Sequence, residues 1–308
     1  MIFRVNIRLV ATIVVLLGVV CGPAGAAGPS GCDLGGTQIR SMPDPVSGRS
    51  YDVEITLPSD YQVNPGKRFA VLYYADGGHL AASATCLSKE PRRQEALRLV
   101  KRLHREGKLA DEPILVGLSY AKGEGFAASR ARDYTPVADK PGYGGAGAFQ
   151  AYLAKTVIPA IESSYRTAPR RRLFWGHSYG GLLGARILLT QPGLFQSYIL
   201  GSPSFWFADH AILAMEAGYA RTNHDLKANV LIYVGGDEIR RYDPDRRGDT
   251  RDMVADVRTF ETQLKSRGFP GLTIRSLVVP GKNHRSTIPP GFSWAITSVL
   301  GNQTVQPR

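Results

Sequence analysis

The sequence predicts an α/β fold, a mostly parallel central sheet with helices on both faces. Two observations carry that expectation. Short apolar runs alternate with helix-periodic segments along most of the 308 residues, as they do where parallel strands are joined by helical crossovers. Residues 176–181 read Gly-His-Ser-Tyr-Gly-Gly, with strand-like Leu173-Phe174-Trp175 before them and helix-like Leu182–Leu189 after. A Gly-x-Ser-x-Gly between a strand and a helix is a sharp turn that exposes the serine hydroxyl.

The elements follow in chain order. Residues 1–26 read as a cleaved leader: Arg4 and Arg8, then apolar Leu9–Val20, then Ala24-Gly25-Ala26. The apolar stretch is too short to span a bilayer comfortably. The leader predicts a periplasmic or secreted protein whose remaining residues, 27–308, form one domain. Cys21 leaves a lipoprotein reading open, although Val20 stands where a small residue belongs. Cys32 and Cys86 either pair in an oxidising compartment or remain free thiols.

Asp33–Asp44 reads as a covering tail. In Tyr51–Leu57, Val53, Ile55 and Leu57 share one face of a strand. Phe69–Tyr74, Pro113–Gly117, Leu173–Trp175, Ser197–Leu200, Asn229–Val234 and Thr273–Val279 are apolar runs suited to strands covered on both sides. Helices are expected over Arg92–Glu106, with Leu97, Val100 and Leu103 inside, through Phe149, Leu153, Val157 and Ile161, and through Val254, Val257, Phe260 and Leu264. Two segments break the rhythm, the Gly-rich 119–148 and the charged 235–250. Long loops at the carboxyl edge of a parallel sheet are where ligands are held. The last residues, Gly301–Arg308, read as a frayed end.

The net charge is +12, which favours anionic partners. The basic residues are scattered and no nucleic-acid motif accompanies them, so the charge suits a solvated surface or an anionic small molecule. The histidines lack metal-ligand spacing, and the two cysteines of residues 27–308 form no CxxC. Gly142–Gly147 follows no strand and lacks the lysine of a phosphate loop. No metal and no cofactor is implied, and no stable membrane association is expected.

A serine hydroxyl becomes a nucleophile when a base takes its proton and a third group orients that base. Ser178 is the candidate nucleophile. Of the six histidines, only His284 follows the last expected strand, where a loop can bring it back to the serine. His177 should point away from Ser178. After the strand ending near Val234 come Gly235-Gly236-Asp237-Glu238, where Glu238 is the first candidate acid and Asp237 the alternative. Asp243, Asp245 or a Ser–His dyad without acid stay open. The amide of Tyr179, at a helix N-terminus, is positioned to hold an oxyanion. Gly77 or Gly78, just past the Phe69–Tyr74 strand, is expected to supply a second amide, with Asp76 fixing that loop.

Several further segments stand beside the turn: Tyr73-Tyr74-Ala75-Asp76-Gly77-Gly78, Arg130-Ala131-Arg132-Asp133-Tyr134-Thr135-Pro136, Gly144-Gly145-Ala146 with Phe149, Ile158-Pro159, Tyr165-Arg166-Thr167, Ser202-Pro203-Ser204-Phe205-Trp206, and Asn283-His284. Together, from about residue 48 to 298, they resemble the esterase D-like branch of the α/β-hydrolases that includes the enterochelin (siderophore) esterases. The resemblance implies hydrolysis of carboxylic esters, including the trilactone backbones of catecholate siderophores. An anionic small-molecule ester, a ferric siderophore among them, is the expected partner, with Arg130, Arg132, Arg240 and Arg241 bordering it and Trp206, Phe205 and Tyr179 against its rings. A general exported carboxylesterase, an acyltransferase and a non-catalytic binding protein are the competing readings.

Overall fold

The computed structural model describes residues 37–77, 91–240 and 251–302, with the side chains of 91–97 set aside. The expected leader, all three cysteines, Gly78, Arg241, Asp243 and Asp245 lie outside the described residues, as do residues 303–308 of the expected frayed end. The strands are β1 (Thr37–Pro43), β2 (Ser50–Thr56), β3 (Phe69–Tyr74), β4 (Ile114–Ala121), β5 (Thr167–His177), β6 (Ser197–Gly201), β7 (Ala228–Gly235) and β8 (Leu272–Val279). They form one eight-stranded sheet in the order β1-β2-β4-β3-β5-β6-β7-β8. β2 is antiparallel to both β1 and β4, and every later pairing is parallel.

The expected apolar runs all fall on strands, and position decides their cover: β8, at the sheet edge, buries only Ile274 and Val279. β3 lies between β4 and β5, and all six of its residues are buried. Successive side chains alternate between faces: Val71, Tyr73, Phe174 and Leu200 enter one core, while Leu72, Tyr74, Leu173, Trp175 and Ile199 enter the other. Helices α1 (Pro91–Arg105) and α8 (Ile288–Leu300) supply the second core. The first is covered by α2 (Phe126–Tyr134), α3 (Ala146–Tyr152), α4 (Ile158–Ser164), α5 (Tyr179–Thr190), α6 (Phe207–Thr222) and α7 (Met253–Ser266).

Three differences from the sequence reading have local causes. The covering tail is in part a strand: Thr37–Pro43 pairs with β2 residue for residue. Its alternation is weak because most of its side chains are not buried. The Gly-rich stretch 119–148 contains α2, whose buried face includes Ser129 and Asp133, so an apolar periodicity could not reveal it. Gly301, placed in the frayed end, bridges to Leu109.

The segment carrying Phe149, Leu153, Val157 and Ile161 is helical throughout, and all four residues are buried. In an ideal α-helix a spacing of four drifts by about 40° at each step. Here a π-helical turn at Leu153–Val157 joins α3 to α4, and its wider turn brings the stripe back over the core.

Candidate active site

The parallel strands bring their carboxyl ends to one edge, which is where the expected residues meet. Ser178 follows β5, Ser202 follows β6, Glu238 lies three residues beyond β7, and His284 comes after β8. Register holds these ends level, pairing His177 with Gly201, Gly201 with Tyr233, and Gly235 with Val279.

Ser178 sits at φ 60° and ψ −120° between β5 and α5. That conformation costs on the order of 1–3 kcal/mol in a non-glycine residue and persists only where its surroundings impose it. Its N–H donates to Gly201 O (2.8 Å), and its carbonyl accepts from Leu182 N (3.0 Å) and Ser204 N (3.2 Å). The turn is so tight that a Cβ on Gly176 would lie 2.1 Å from Gly180 O, which explains the glycine there. Ser178 Oγ lies 3.2 Å from the hydroxyl of the buried Ser204. Tyr179 is the first residue of α5, so its amide has no partner within the helix.

His284 Nδ1 is 2.6 Å from Glu238 Oε2. A carboxylate only accepts, so Nδ1 carries the proton and Nε2 is left as the basic nitrogen. Glu238 is fully buried, and its Oε1 accepts from Ser202 Oγ (2.5 Å) and Gly235 N (2.8 Å). Burial in this donor cage fixes both oxygens. The His284 ring rests on His177 (centroids 4.6 Å apart), the neighbour of Ser178. Asp237, the alternative acid, gives its N–H to Lys282 O (3.1 Å), and it is Glu238 whose carboxylate reaches the imidazole.

Two expectations need correction. Gly77 cannot offer a second oxyanion amide in this arrangement, because its N–H already donates to Leu118 O (2.9 Å). A Cβ on Gly77 would lie 2.5 Å from Gly117 Cα, so this glycine serves close strand approach. Gly78, the other candidate, lies outside the described residues.

Arg130 and Arg132, expected to border the substrate, are both neutralised. Arg130 holds Asp76 through Nε (2.7 Å) and Nη2 (3.0 Å) and donates to His177 O (3.2 Å). Asp76 also accepts from Tyr120 (2.6 Å), and its amide donates to the Tyr134 hydroxyl (3.0 Å). Burial alone would lower the Arg130 pKa, but the Asp76 charge and hydrogen bonds raise it above the usual guanidinium range. Arg132 pairs with Asp133 (2.8 Å) and with Glu124. The Arg-x-x-Asp signature therefore braces the loop beneath the elbow.

Removing one partner of such a pair leaves the other charge desolvated. Arg130→Met is expected to lower unfolding free energy by roughly 2–3 kcal/mol, less than a fully buried pair because both side chains keep some solvent contact. Urea unfolding measures this, and adding Asp76→Asn should recover part of the loss.

Trp206 does stand beside the elbow with Tyr179, whereas Phe205, expected against the same rings, is buried in the core on Phe260 (centroids 4.5 Å). Tyr179 contacts Trp206 (centroids 5.9 Å) and Phe207 (5.7 Å), and Tyr143 stacks on Phe207 (5.7 Å). The Arg251 guanidinium lies 3.9 Å over the Trp206 ring. Burial, reinforced by Tyr143 and opposed by Arg130 and Arg251, raises the Tyr179 pKa. Arg251, Tyr143, Ser202 and Ser204 were not given roles from sequence. Only the position of the two serines after β6 offered a signal.

No helix among the described residues is long and apolar enough to cross a membrane. The esterase family model, described as "Putative esterase", matches residues 45–287. The chain is 27% identical over 278 residues to the ferri-bacillibactin esterase BesA of Bacillus subtilis, covering 86% of this chain and 90% of that one. It is 31% identical over 199 residues to the siderophore triacetylfusarinine C esterase of Aspergillus fumigatus, covering 61% and 64%. The siderophore hydrolase EstB of Aspergillus nidulans shares the fold, with a TM-score of 0.71 at 22% identity over 91% of this chain and 99% of that one. The chain belongs to this esterase family and is an α/β-hydrolase acting on carboxylic ester bonds.

Proposed function

We propose that the protein is an exported serine esterase that opens the ester backbone of anionic, catechol-bearing siderophores and so releases iron. The observation that carries the reading is the His284–Glu238 pair (2.6 Å), resting on His177 beside Ser178, near an aromatic wall bearing Arg251. Ser178 Oγ attacks the lactone carbonyl while His284 Nε2 takes its proton, and Glu238 steadies the imidazolium that forms. The Tyr179 amide holds the oxyanion. The C–O bond then breaks, His284 returns the proton to the leaving alkoxide, and an acyl-enzyme remains. Water, deprotonated by His284, attacks that acyl group, and the acid departs as the serine is reprotonated.

The part-exposed rings of Trp206 and Tyr179 suit catechol rings, and the Arg251 cation suits the negative charge of a ferric catecholate. The excess of Lys and Arg over Asp and Glu, which persists without Arg4 and Arg8, favours the encounter. Relatives named for ferri-bacillibactin and for other siderophores support the same substrate class. The leader-like sequence of residues 1–26 supports a periplasmic or secreted location, where the ferric complex would be met first.

Chromatographic product analysis with the mature chain and Ser178→Ala tests the reading. The ferric trilactone should be opened, in a serine-dependent way, far more efficiently than a short-chain acyl ester. Turnover of the acyl ester alone would replace the siderophore with a general ester substrate, and turnover of neither would favour acyl transfer or binding.

A further inference from the structure

The chain turns sharply after β6, and the turn joins the nucleophile to the acid. Ser178 N donates to Gly201 O (2.8 Å), and Ser204 N donates to Ser178 O (3.2 Å). Residues 201–204 are thus tied along the backbone of the elbow. Pro203 packs on α5, where a Cβ added to Gly181 would lie 3.0 Å from the Pro203 Cα. From the same turn Ser202 donates its hydroxyl to Glu238 Oε1 (2.5 Å).

Ser202 holds a conformation that a serine has local reason to avoid. Its φ is 36°, in the left-handed region where a Cβ crowds the backbone and glycine is at ease. The residue is fully buried, and its N–H donates to Tyr233 O on β7 (2.6 Å). The neighbouring strand therefore imposes the strain. A turn shaped for the backbone alone would carry glycine here. Ser178 and Asp76, at φ 60° and 63°, are also non-glycine, and each uses its side chain at the elbow. What the Ser202 side chain adds is a second donor to a buried carboxylate. Gly235 N also donates to Glu238 Oε1 (2.8 Å). One donor leaves a carboxylate able to swing about that bond; two fix its plane, and with it the direction of Oε2 toward His284 Nδ1.

We propose that Ser202 is a positioning residue for ester hydrolysis, retained at a strained backbone position because its hydroxyl fixes the Glu238 carboxylate against His284. This rests on the reading of Glu238 as the acid. Ser202 touches neither the substrate nor the reacting atoms and acts through Glu238 on the imidazole. Strain held at such a point exchanges backbone comfort for a fixed catalytic geometry.

Steady-state kinetics on a short-chain nitrophenyl ester, with Ser202→Gly, Glu238→Ala and the double variant, tests this alongside thermal melts. Ser202→Gly relieves the backbone while removing the hydroxyl, so the melting temperature should hold or rise. Its kcat should fall ~10–100-fold, as expected for losing a hydrogen bond to a charged group, with KM changed less than ~2-fold. On the Glu238→Ala background the glycine should lower kcat by less than a further ~2-fold, because its route to His284 is gone. Wild-type kcat in Ser202→Gly beside a slow Glu238→Ala overturns the proposal and leaves the acid assigned. Glu238→Ala within ~10-fold of the wild type removes the acid and the proposal together. A full loss from the glycine on the Glu238→Ala background also overturns it, since the serine would then serve the turn. Should Ser202→Gly melt lower than the wild type, Ser202→Ala decides. It keeps the Cβ and lacks the hydroxyl, and wild-type kcat there overturns the proposal.

Discussion

Ser178→Ala is expected to lower kcat at least ~10³-fold on any ester the protein turns over, with KM changed little. The loss is specific to the chemical step, because removing the hydroxyl takes away the nucleophile and, within the protein, only a 3.2 Å contact with Ser204. His284→Ala should cost about as much, since the base has no function without the nucleophile it serves. The double variant should be no worse than either single one, because groups that act as a unit lose their effect once. Stopped assays with active-site titration of the wild type measure all three rates. Additive losses, each multiplying the other, would show that Ser178 and His284 act in separate steps.

Much of this arrangement is legible in the chain because each part has a local signature. The elbow needs glycines on both sides of the serine, and Gly176 has no space for a side chain against Gly180 O. The strand order does not need to be known to see that Glu238 and His284 follow apolar runs. Parallel strands covered by helices then bring their carboxyl ends to one edge. What sequence left open between Asp237 and Glu238 is decided by the turn after β7, where the Glu238 amide bonds to Gly235 O (3.1 Å) and its carboxylate folds inward to Ser202 and His284. A spacing of one residue cannot convey that direction.

Charge was the least legible property. Arg130 reads as a cation for an anionic ligand because its carboxylate partner is far away in the chain, and Arg132 because adjacency to Asp133 does not by itself show pairing. Asp76 lies 54 residues from Arg130, across the sheet edge. Arg251, by contrast, carries no motif, yet lies over Trp206. α2 was missed for a related reason: polar residues share its buried side with Ala131 and Tyr134, Ser129 donating to Asp133 (2.9 Å) and receiving the Ala121 amide (2.8 Å). A hydrophobic stripe detects apolar cores and is blind to polar ones.

Glu238→Gln is the second change expected to have a large effect, and its geometry separates a triad from a dyad. Glu238 Oε1 must accept from both Ser202 Oγ and Gly235 N. In the glutamine variant the amide oxygen has to stay there, because an NH2 group would face two donors. The amide nitrogen is then turned toward His284 Nδ1, 2.6 Å from the present carboxylate oxygen. An NH2 donor forces Nδ1 to accept, which moves the ring proton to Nε2, the nitrogen that must take the proton of Ser178. The near-isosteric change therefore installs the wrong tautomer, and kcat should fall by ~10³–10⁴-fold with the melting temperature little altered. Glu238→Ala removes the orienting group without imposing that tautomer, so on this argument it should be no more damaging than the glutamine. Steady-state kinetics on both variants, with thermal melts as the fold control, measures the comparison. Retention of kcat within ~10-fold in Glu238→Gln would mean that the buried carboxylate serves the loop after β7, and that Ser178 and His284 work as a dyad.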